Sequence, residues 1–407
     1  MRVLATLFVC LAACSSVENG ATSTPLPVTS QPTSPQYVGF LDETGNVALA
    51  SPGGGTVRQL TEDASDQLIY RQPTWAPGGN LIAWTAIEIT TSGATSEVQI
   101  AQATGGIVAT LSIPVAPFYL YWSPDGGSLA ALGSGARSIE LWVLDVEEAS
   151  ARVVAEGQPF YFSWSPDSRR LLSHVSDQCV SLLSLDGQTE LISRSSTGYQ
   201  APGWSDRDEL AYVVGQDASV AGPLLAQGTE GRRLVTSDIE TRTVRVVQAF
   251  AGFASLGFSP DGSRLAYSIT PTDARATAGA NLGPLMVTSL DAFSSVEVES
   301  DPVVLYQWGP NGEQLLYAVF SGTGLRWKVW DGSRTTDYGP FIPTDRFLSE
   351  YLPFWDQYAL SSRLWSRDGT AFTYAGRTDE RDAIFVQHLD ADSPTPVADG
   401  SVAFWSP

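Results

Sequence analysis

The chain has 407 residues, of which 44 are acidic and 23 basic, so its formal net charge is −21. So acidic a chain is a poor candidate for nucleic-acid binding, which rests mainly on Lys and Arg contacts to phosphates. Three cysteines and two histidines are too few for a disulfide scaffold or for a zinc site built from Cys and His.

The first residues have the pattern of an export signal. After a short positive start comes an apolar run, Val3 to Ala13, that is too short to span a bilayer. The run ends in Leu-Ala-Ala-Cys, which resembles the lipobox of bacterial lipoproteins. The resemblance implies that residues 1–13 are removed and that Cys14 becomes a diacylated N-terminus; an ordinary secretory signal peptide is the alternative. We therefore expect an extracytoplasmic protein of the bacterial cell envelope, anchored to a membrane by lipid.

Residues 14–36 have the composition of a tether between this anchor and a folded body. Ser, Thr and Pro dominate the stretch and no apolar period appears, which is typical of an extended linker. Because Cys10 is lost with the leader and Cys14 carries lipid, Cys179 is the one thiol left in the mature chain. No intramolecular disulfide is therefore expected, and no motif implies a cofactor.

From residue 37 onward the chain repeats a degenerate Trp-Ser-Pro-Asp-Gly motif. A complete copy begins at Trp122, whereas the copy at Trp204 has lost both Pro and Gly. Eight copies follow one another at intervals of 40 to 57 residues, which is typical of a repeat architecture. The eight motif aromatics are Trp75, Trp122, Trp164, Trp204, Phe258, Trp308, Trp365 and Trp405.

Each motif lies in the same local pattern, with short apolar runs before and after it. Pro fixes φ for a turn, Asp bonds neighbouring amides and Gly adopts a positive φ. Four short strands in each unit of about 47 residues predict a β-propeller. We interpret the motif aromatics as packing between neighbouring sheets rather than as a ligand cage, because they recur once in every unit.

The repeats resemble those of TolB-type propellers, which also occur in prolyl-oligopeptidase-like enzymes, and the resemblance covers residues 37–407. It implies an all-β fold with one closed propeller. Eight motifs predict eight four-stranded blades, and the degenerate motif at Trp204 leaves seven as the alternative. The run Val402 to Trp405 has the pattern of an innermost strand with no blade after it. Because residues 37–60 supply three strands without an innermost one, we expect the two chain ends to share a blade and leave no free sheet edge.

Residues 339–362, the insert, form a long connection between two units. Strand alternation places the long connections on the face opposite the motif turns, where binding residues often lie. Aromatic spacings near three and four predict a short helix, and Pro353 predicts a break in it. We predict that the insert aromatics bind a partner; the alternative is a cap that plugs the central channel. These aromatics are Phe347, Tyr351, Phe354, Trp355 and Tyr358.

Catalysis has little support in the sequence. There is no Gly-x-Ser-x-Gly motif, and His174 and His388 lie in strand-like runs. The acidic pairs at 206/208 and 390/392 do not complete a calcium loop, so no metal site is predicted. We predict a non-enzymatic scaffold, a monomeric propeller that binds a protein partner in the cell envelope and no nucleic acid. The alternative is a carbohydrate-active or other propeller hydrolase with paired carboxylates at the channel mouth.

Overall fold

The structure is a computed structural model that describes residues 35–176, 179–194, 198–215, 231–271, 283–379 and 381–407. The predicted leader, Cys14 and all but the last residues of the predicted tether lie outside the described residues. Most of the long connections at 215–231 and 270–284 also lie outside them. In the described ranges, no helix is both long and apolar enough to cross a membrane.

Thirty β-strands run through the described part of the chain. The first eleven are β1 Val38–Leu41, β2 Val47–Ala50, β3 Val57–Gln59, β4 Leu68–Trp75, β5 Leu81–Thr90, β6 Gly93–Gln102, β7 Ile107–Ile113, β8 Pro117–Trp122, β9 Ser128–Ser134, β10 Ile139–Asp145 and β11 Ser150–Gly157. The next ten are β12 Phe160–Trp164, β13 Arg170–Val175, β14 Cys179–Ser184, β15 Thr189–Arg194, β16 Gly203–Trp204, β17 Glu209–Val214, β18 Arg232–Asp238, β19 Val244–Phe250, β20 Phe253–Phe258 and β21 Arg264–Thr270. The last nine are β22 Gly283–Ser289, β23 Ser294–Trp308, β24 Leu315–Ser321, β25 Gly324–Trp330, β26 Thr335–Phe341, β27 Ala371–Arg377, β28 Asp382–His388, β29 Thr395–Asp399 and β30 Val402–Trp405.

These strands form antiparallel sheets in which consecutive strands are neighbours. Five described sheets have four strands each: β4 to β7, β8 to β11, β12 to β15, β16 to β19, and a sheet with the order β3-β2-β1-β30. In the last of these, Val38 lies opposite Trp405 and Leu41 lies opposite Val402. Strands from both ends of the described chain therefore share one sheet, as the sequence predicts.

Two described sheets differ from the expected four-stranded pattern. Strands β20 to β26 form one seven-stranded sheet, because the 15-residue strand β23 pairs with β22 near its start and with β24 near its end. Strands β27 to β29 form a three-stranded sheet, because Trp365 contributes only a single bridge to Phe372 instead of a full strand. The sequence motif occurs at both places, but the hydrogen-bonded strands do not divide where the motifs do.

Most motif indoles donate a hydrogen bond to a carbonyl of the neighbouring sheet. The indole N–H of Trp122 donates to the carbonyl of Thr74 at 3.3 Å, and that of Trp164 donates to Tyr121 at 3.1 Å. Those of Trp75, Trp308 and Trp365 donate in the same way to Phe404, Gly257 and Gln307, at 3.0 to 3.1 Å. In all five bonds the acceptor immediately precedes the motif aromatic of the other sheet. Trp204 departs from this rule, since its indole donates to the Asp208 carboxylate.

The Ser-Pro-Asp-Gly turns are held by their own side chains. The Ser259 hydroxyl donates to the Asp261 carboxylate at 2.6 Å, and the amide of Ser263 donates to the same oxygen. Burial alone would raise the pKa of Asp261, but these hydrogen bonds stabilise its charged form and lower its pKa to about 2. The same 2.6 Å bond joins Ser to Asp in the turns at Asp125, Asp167 and Asp368.

Candidate functional site

The insert folds into three short helical turns that contact the inner strands. The inner strands are those that end in a motif aromatic. A π-type turn spans Phe347–Tyr351, a 3₁₀ turn spans Leu352–Phe354, and an α turn spans Trp355–Tyr358. The change of helix type coincides with Pro353, which has no N–H to continue a regular helix. The predicted helix with a break is therefore present, although each piece is only about one turn long.

Hydrogen bonds attach the insert to the inner strands of several sheets. The side-chain amide of Gln357 donates to the Phe162 carbonyl and accepts from the Phe162 amide, both at 2.8 Å. The Tyr119 hydroxyl donates to the Gln357 carbonyl at 2.9 Å, and the Trp355 indole donates to the Tyr306 carbonyl at 3.1 Å. These contacts reach β8, β12 and β23, so the insert bridges strands that lie far apart in the sequence.

The five insert aromatics divide into four buried residues and one exposed residue. Phe347, Tyr351, Trp355 and Tyr358 retain between 1% and 7% of their accessible surface and belong to the largest apolar cluster of the described chain. Phe354 is 44% exposed. The four buried rings are not available to a partner in this arrangement, and they form the cap that was the alternative interpretation. The sequence does not identify Gln357 or Asp356 as site residues, because nothing in their spacing distinguishes them from ordinary polar helix residues.

A cavity of about 330 Å³ lies between the insert and the motif turns. The insert contributes Leu352, Trp355 and Asp356 at one end, and the prolines of several motif turns line the other end. Inner-strand residues line the sides, mainly through aromatic and aliphatic groups. The cavity is therefore lined by strands of several sheets together with the insert.

Two charged side chains line this cavity. Asp356 accepts a hydrogen bond from the Ala201 amide at 3.1 Å, but burial dominates and raises its pKa to about 7. Arg363 lies two residues before Trp365, and burial lowers its pKa, with a smaller repulsive contribution from Arg367. Of the described cavity residues, Asp356 alone carries a side-chain carboxyl group. Neither Asp356 nor Arg363 stands at a recurring motif position, so the sequence pattern does not identify them.

The remaining titratable candidates lie outside the cavity. His174 is buried in β13, stacks on Tyr199 at a ring distance of 3.9 Å, and donates a hydrogen bond from Nδ1 to the Gln200 carbonyl at 3.1 Å. Desolvation lowers its pKa, so it is neutral near pH 7. His388 is exposed at the end of β28. Within the described ranges, no group of three or more His, Cys, Asp or Glu side chains is arranged to hold a metal ion.

The fold is similar to those of several solved propeller-containing proteins. A eukaryotic initiation factor matches with a TM-score of 0.55 and 13% identity, over 92% of this chain and 99% of that chain. The β-propeller domain of the Trilobed protease from Pyrococcus furiosus matches with a TM-score of 0.51 and 15% identity, over 82% and 99%. Oligogalacturonate lyase from Vibrio parahaemolyticus matches with a TM-score of 0.50 and 14% identity, over 77% and 84%. The chain has a β-propeller fold.

This similarity extends to architecture alone, because all of these identities are below 25% and propellers host unrelated functions. TolB from Acinetobacter baumannii also aligns, with 14% identity, but its TM-score of 0.40 is too low to argue from. No protein-family model matches the chain, and no curated protein matches it in sequence. The similar structures include a protease domain and a lyase as well as an initiation factor, so the site itself has to support any function.

Proposed function

We propose that this protein is a lipid-anchored scaffold of the bacterial cell envelope, in which a closed eight-bladed propeller binds a protein partner without catalysing a reaction. The observation that carries the proposal is the insert, which buries four of its aromatic rings and leaves the apolar side chains of Leu348 and Phe354 exposed. In this proposal Cys14 holds the propeller at the membrane, and residues 15–36 separate the two.

The contacts between neighbouring sheets support the closed ring. Five indole bonds connect the motif aromatics in chain order, including the bond from Trp75 back to β30. The amide of Trp405 donates to the Arg363 carbonyl at 2.7 Å, which connects β30 to the strand region before β27. The guanidinium of Arg170 lies over the Trp204 ring at 5.2 Å, so the degenerate motif also contacts its predecessor. We therefore count the seven-stranded sheet as two blades that share β23.

The scarcity of acidic side chains around the cavity favours binding over hydrolysis. Retaining and inverting glycosidases place two carboxyl groups on either side of the substrate, within about 10 Å of each other. Among the described cavity residues Asp356 alone offers a side-chain carboxyl group, and it accepts a hydrogen bond from the backbone amide of Ala201. The arrangement therefore fits a scaffold better than the alternative of a propeller hydrolase.

The outer side of the insert offers an apolar surface for a partner. Leu348 and Phe354 are 39% and 44% exposed, and Ile342, at the start of the insert path after β26, is 44% exposed. Phe320 lies at the same end of its sheet as Ile342. It pairs with Leu325, and Leu325 pairs with Phe341, the residue before Ile342. We call Phe320, Ile342, Leu348 and Phe354 the insert-face patch. Exposed apolar clusters of this kind often mark interaction sites, and the net charge of −21 favours a basic partner.

Crosslinked co-purification from native membranes tests the proposal. The wild type is compared with a Leu348→Ser/Phe354→Ser double variant, and a Leu191→Ser/Val296→Ser double variant is the matched control with equally exposed residues on other strands. We expect one partner to be captured by the wild type and the control but not by the insert variant. Capture that is equal for all three proteins would contradict the role of the insert-face patch. A Cys14→Ser variant should leave the membrane fraction, and its retention there would contradict the lipid anchor.

A further inference from the structure

One basic residue, Arg363, belongs to the lining of the cavity. Its side chain makes no hydrogen bond or ion pair with any residue that the structure describes. An arginine side chain stays protonated in proteins. Enclosing such a charge without a counter-ion costs free energy. In a chain with 44 acidic residues and 23 basic ones, a guanidinium without a carboxylate partner is a candidate group for binding an anion.

The nearby acidic groups do not supply the missing counter-charge. Asp356 also lines the cavity, but it accepts a hydrogen bond from the Ala201 amide, and no ion pair joins it to Arg363 within the described residues. With a pKa of about 7, Asp356 is largely uncharged in mildly acidic solution and does not repel an anion there. The charged neighbour of Arg363 is another cation, Arg367.

The rest of the lining is suited to an apolar molecule with one polar end. Five aromatic residues belong to the lining: Trp75, Trp122, Phe253, Trp308 and Trp365. Tyr121 lines the cavity as well. A volume of about 330 Å³ lies at the small end of the range for ligand pockets. One guanidinium matches one carboxylate in a bidentate pair, and a second charge would be left without a partner.

We propose that the cavity binds a small organic monocarboxylate, whose carboxylate pairs with Arg363 and whose aromatic or alkyl body packs against the indole and phenyl rings. This site is separate from the insert-face patch, so it stands whether or not the proposed protein partner exists.

Calorimetric titration of the purified full chain tests the proposal. The probes are phenylacetate, indole-3-acetate and octanoate, with phenylacetamide as the uncharged counterpart and inorganic phosphate as the competing anion class. Arg363→Gln removes the charge and keeps a polar group of similar reach. Arg169→Gln is the matched control, because Arg169 is an exposed residue of a motif turn and does not line the cavity. Tryptophan fluorescence provides a second readout, since several cavity rings are indoles.

We expect at least one carboxylate probe to bind with one-to-one stoichiometry at low millimolar concentration or better. Arg363→Gln should weaken that binding by about 10- to 100-fold, because a charge-assisted pair is lost, while Arg169→Gln leaves it unchanged. Phenylacetamide should bind the wild type more weakly than phenylacetate does, and this comparison decides the matter if Arg363→Gln does not fold. The proposal is overturned if no carboxylate saturates the folded wild type or if Arg363→Gln binds normally. Equal binding of acid and amide, or tighter binding of phosphate than of any carboxylate, overturns it as well.

Discussion

At the scale of single residues, Gln357 acts as a substitute strand partner. Its side-chain amide forms the same pair of hydrogen bonds with Phe162 that a neighbouring β-strand would form, and both residues are buried. The innermost edge of β12 would otherwise leave these backbone groups without partners, since the inner strands of a propeller face the channel. One side chain therefore both satisfies the edge of a sheet and fixes the insert above it.

Replacing Gln357 with Met should destabilise the protein by about 2–4 kcal/mol, because the Phe162 amide and carbonyl would each lose a partner while remaining buried. Gln67→Met is the control, since Gln67 is exposed and its side chain forms no recorded hydrogen bond within the described chain. Urea unfolding followed by tryptophan fluorescence measures the difference, and hydrogen exchange of the Phe162 amide reports on the bond directly. Equal stability of the two variants would show that the pair contributes little.

At the scale of elements, the insert holds an acidic group in a place that disfavours its charge. Asp356 lies in the α turn and points towards the backbone of Ala201, with the hydroxyl groups of Tyr161 and Tyr306 as its titratable neighbours. Burial raises its pKa from 3.8 to about 7. A raised acid pKa means that the folded state holds the proton more tightly than the unfolded state does. The resulting stability is complete below pH 4 and is lost as the pH rises towards 7.

Asp356→Asn should therefore stabilise the protein relative to the wild type at pH 8, by about 2 kcal/mol, because the side chain keeps an acceptor for the Ala201 amide without carrying a charge. At pH 4 the two proteins should have similar free energies of unfolding, since the wild-type carboxyl is then protonated in the folded state. Urea unfolding at a series of pH values measures both. A difference that does not change with pH would mean that Asp356 is not the titrating group.

The sequence predicts the repeated elements of this molecule much better than the single ones. The motif aromatics and their turns recur at regular spacing, so their packing between sheets follows from the pattern. The insert occurs once, and aromatic spacing alone does not tell which rings are buried. Pro353 interrupts the helix and the turn that follows leaves Phe354 outside, whereas Tyr351 and Trp355 are inside. The role of Gln357 depends on Phe162, 195 residues earlier, and no local pattern contains that contact.

At the scale of the whole molecule, the ends of the described chain are joined through β30. Phe404 and Trp405 are almost completely buried, and the Phe404 carbonyl accepts the indole hydrogen bond of Trp75. The Ser406 amide donates to the Tyr37 carbonyl at 2.8 Å, and the Ser406 hydroxyl accepts from the Tyr37 amide at 2.9 Å. Short contacts of this kind tie the two ends to one sheet, so the stability of the proposed ring depends on the last few residues.

A protein that comprises residues 36–400 should be much less stable than one that comprises residues 36–407. We expect the whole propeller to be destabilised and not one edge alone. The truncation removes β30 and exposes the inner side of β1, at a cost of more than about 5 kcal/mol, which is comparable to the total stability of many domains. Thermal unfolding followed by circular dichroism should show a strongly lowered Tm. Because β30 runs antiparallel to β1 with Trp405 opposite Val38, residues 401–407 fused ahead of Gln36 through a short Gly-Ser linker should form a hairpin and restore the Tm. An unchanged Tm after truncation would rule out a closing role for β30. If the fused strand does not restore the Tm, the native chain connection at residues 400–401 matters more than the strand itself.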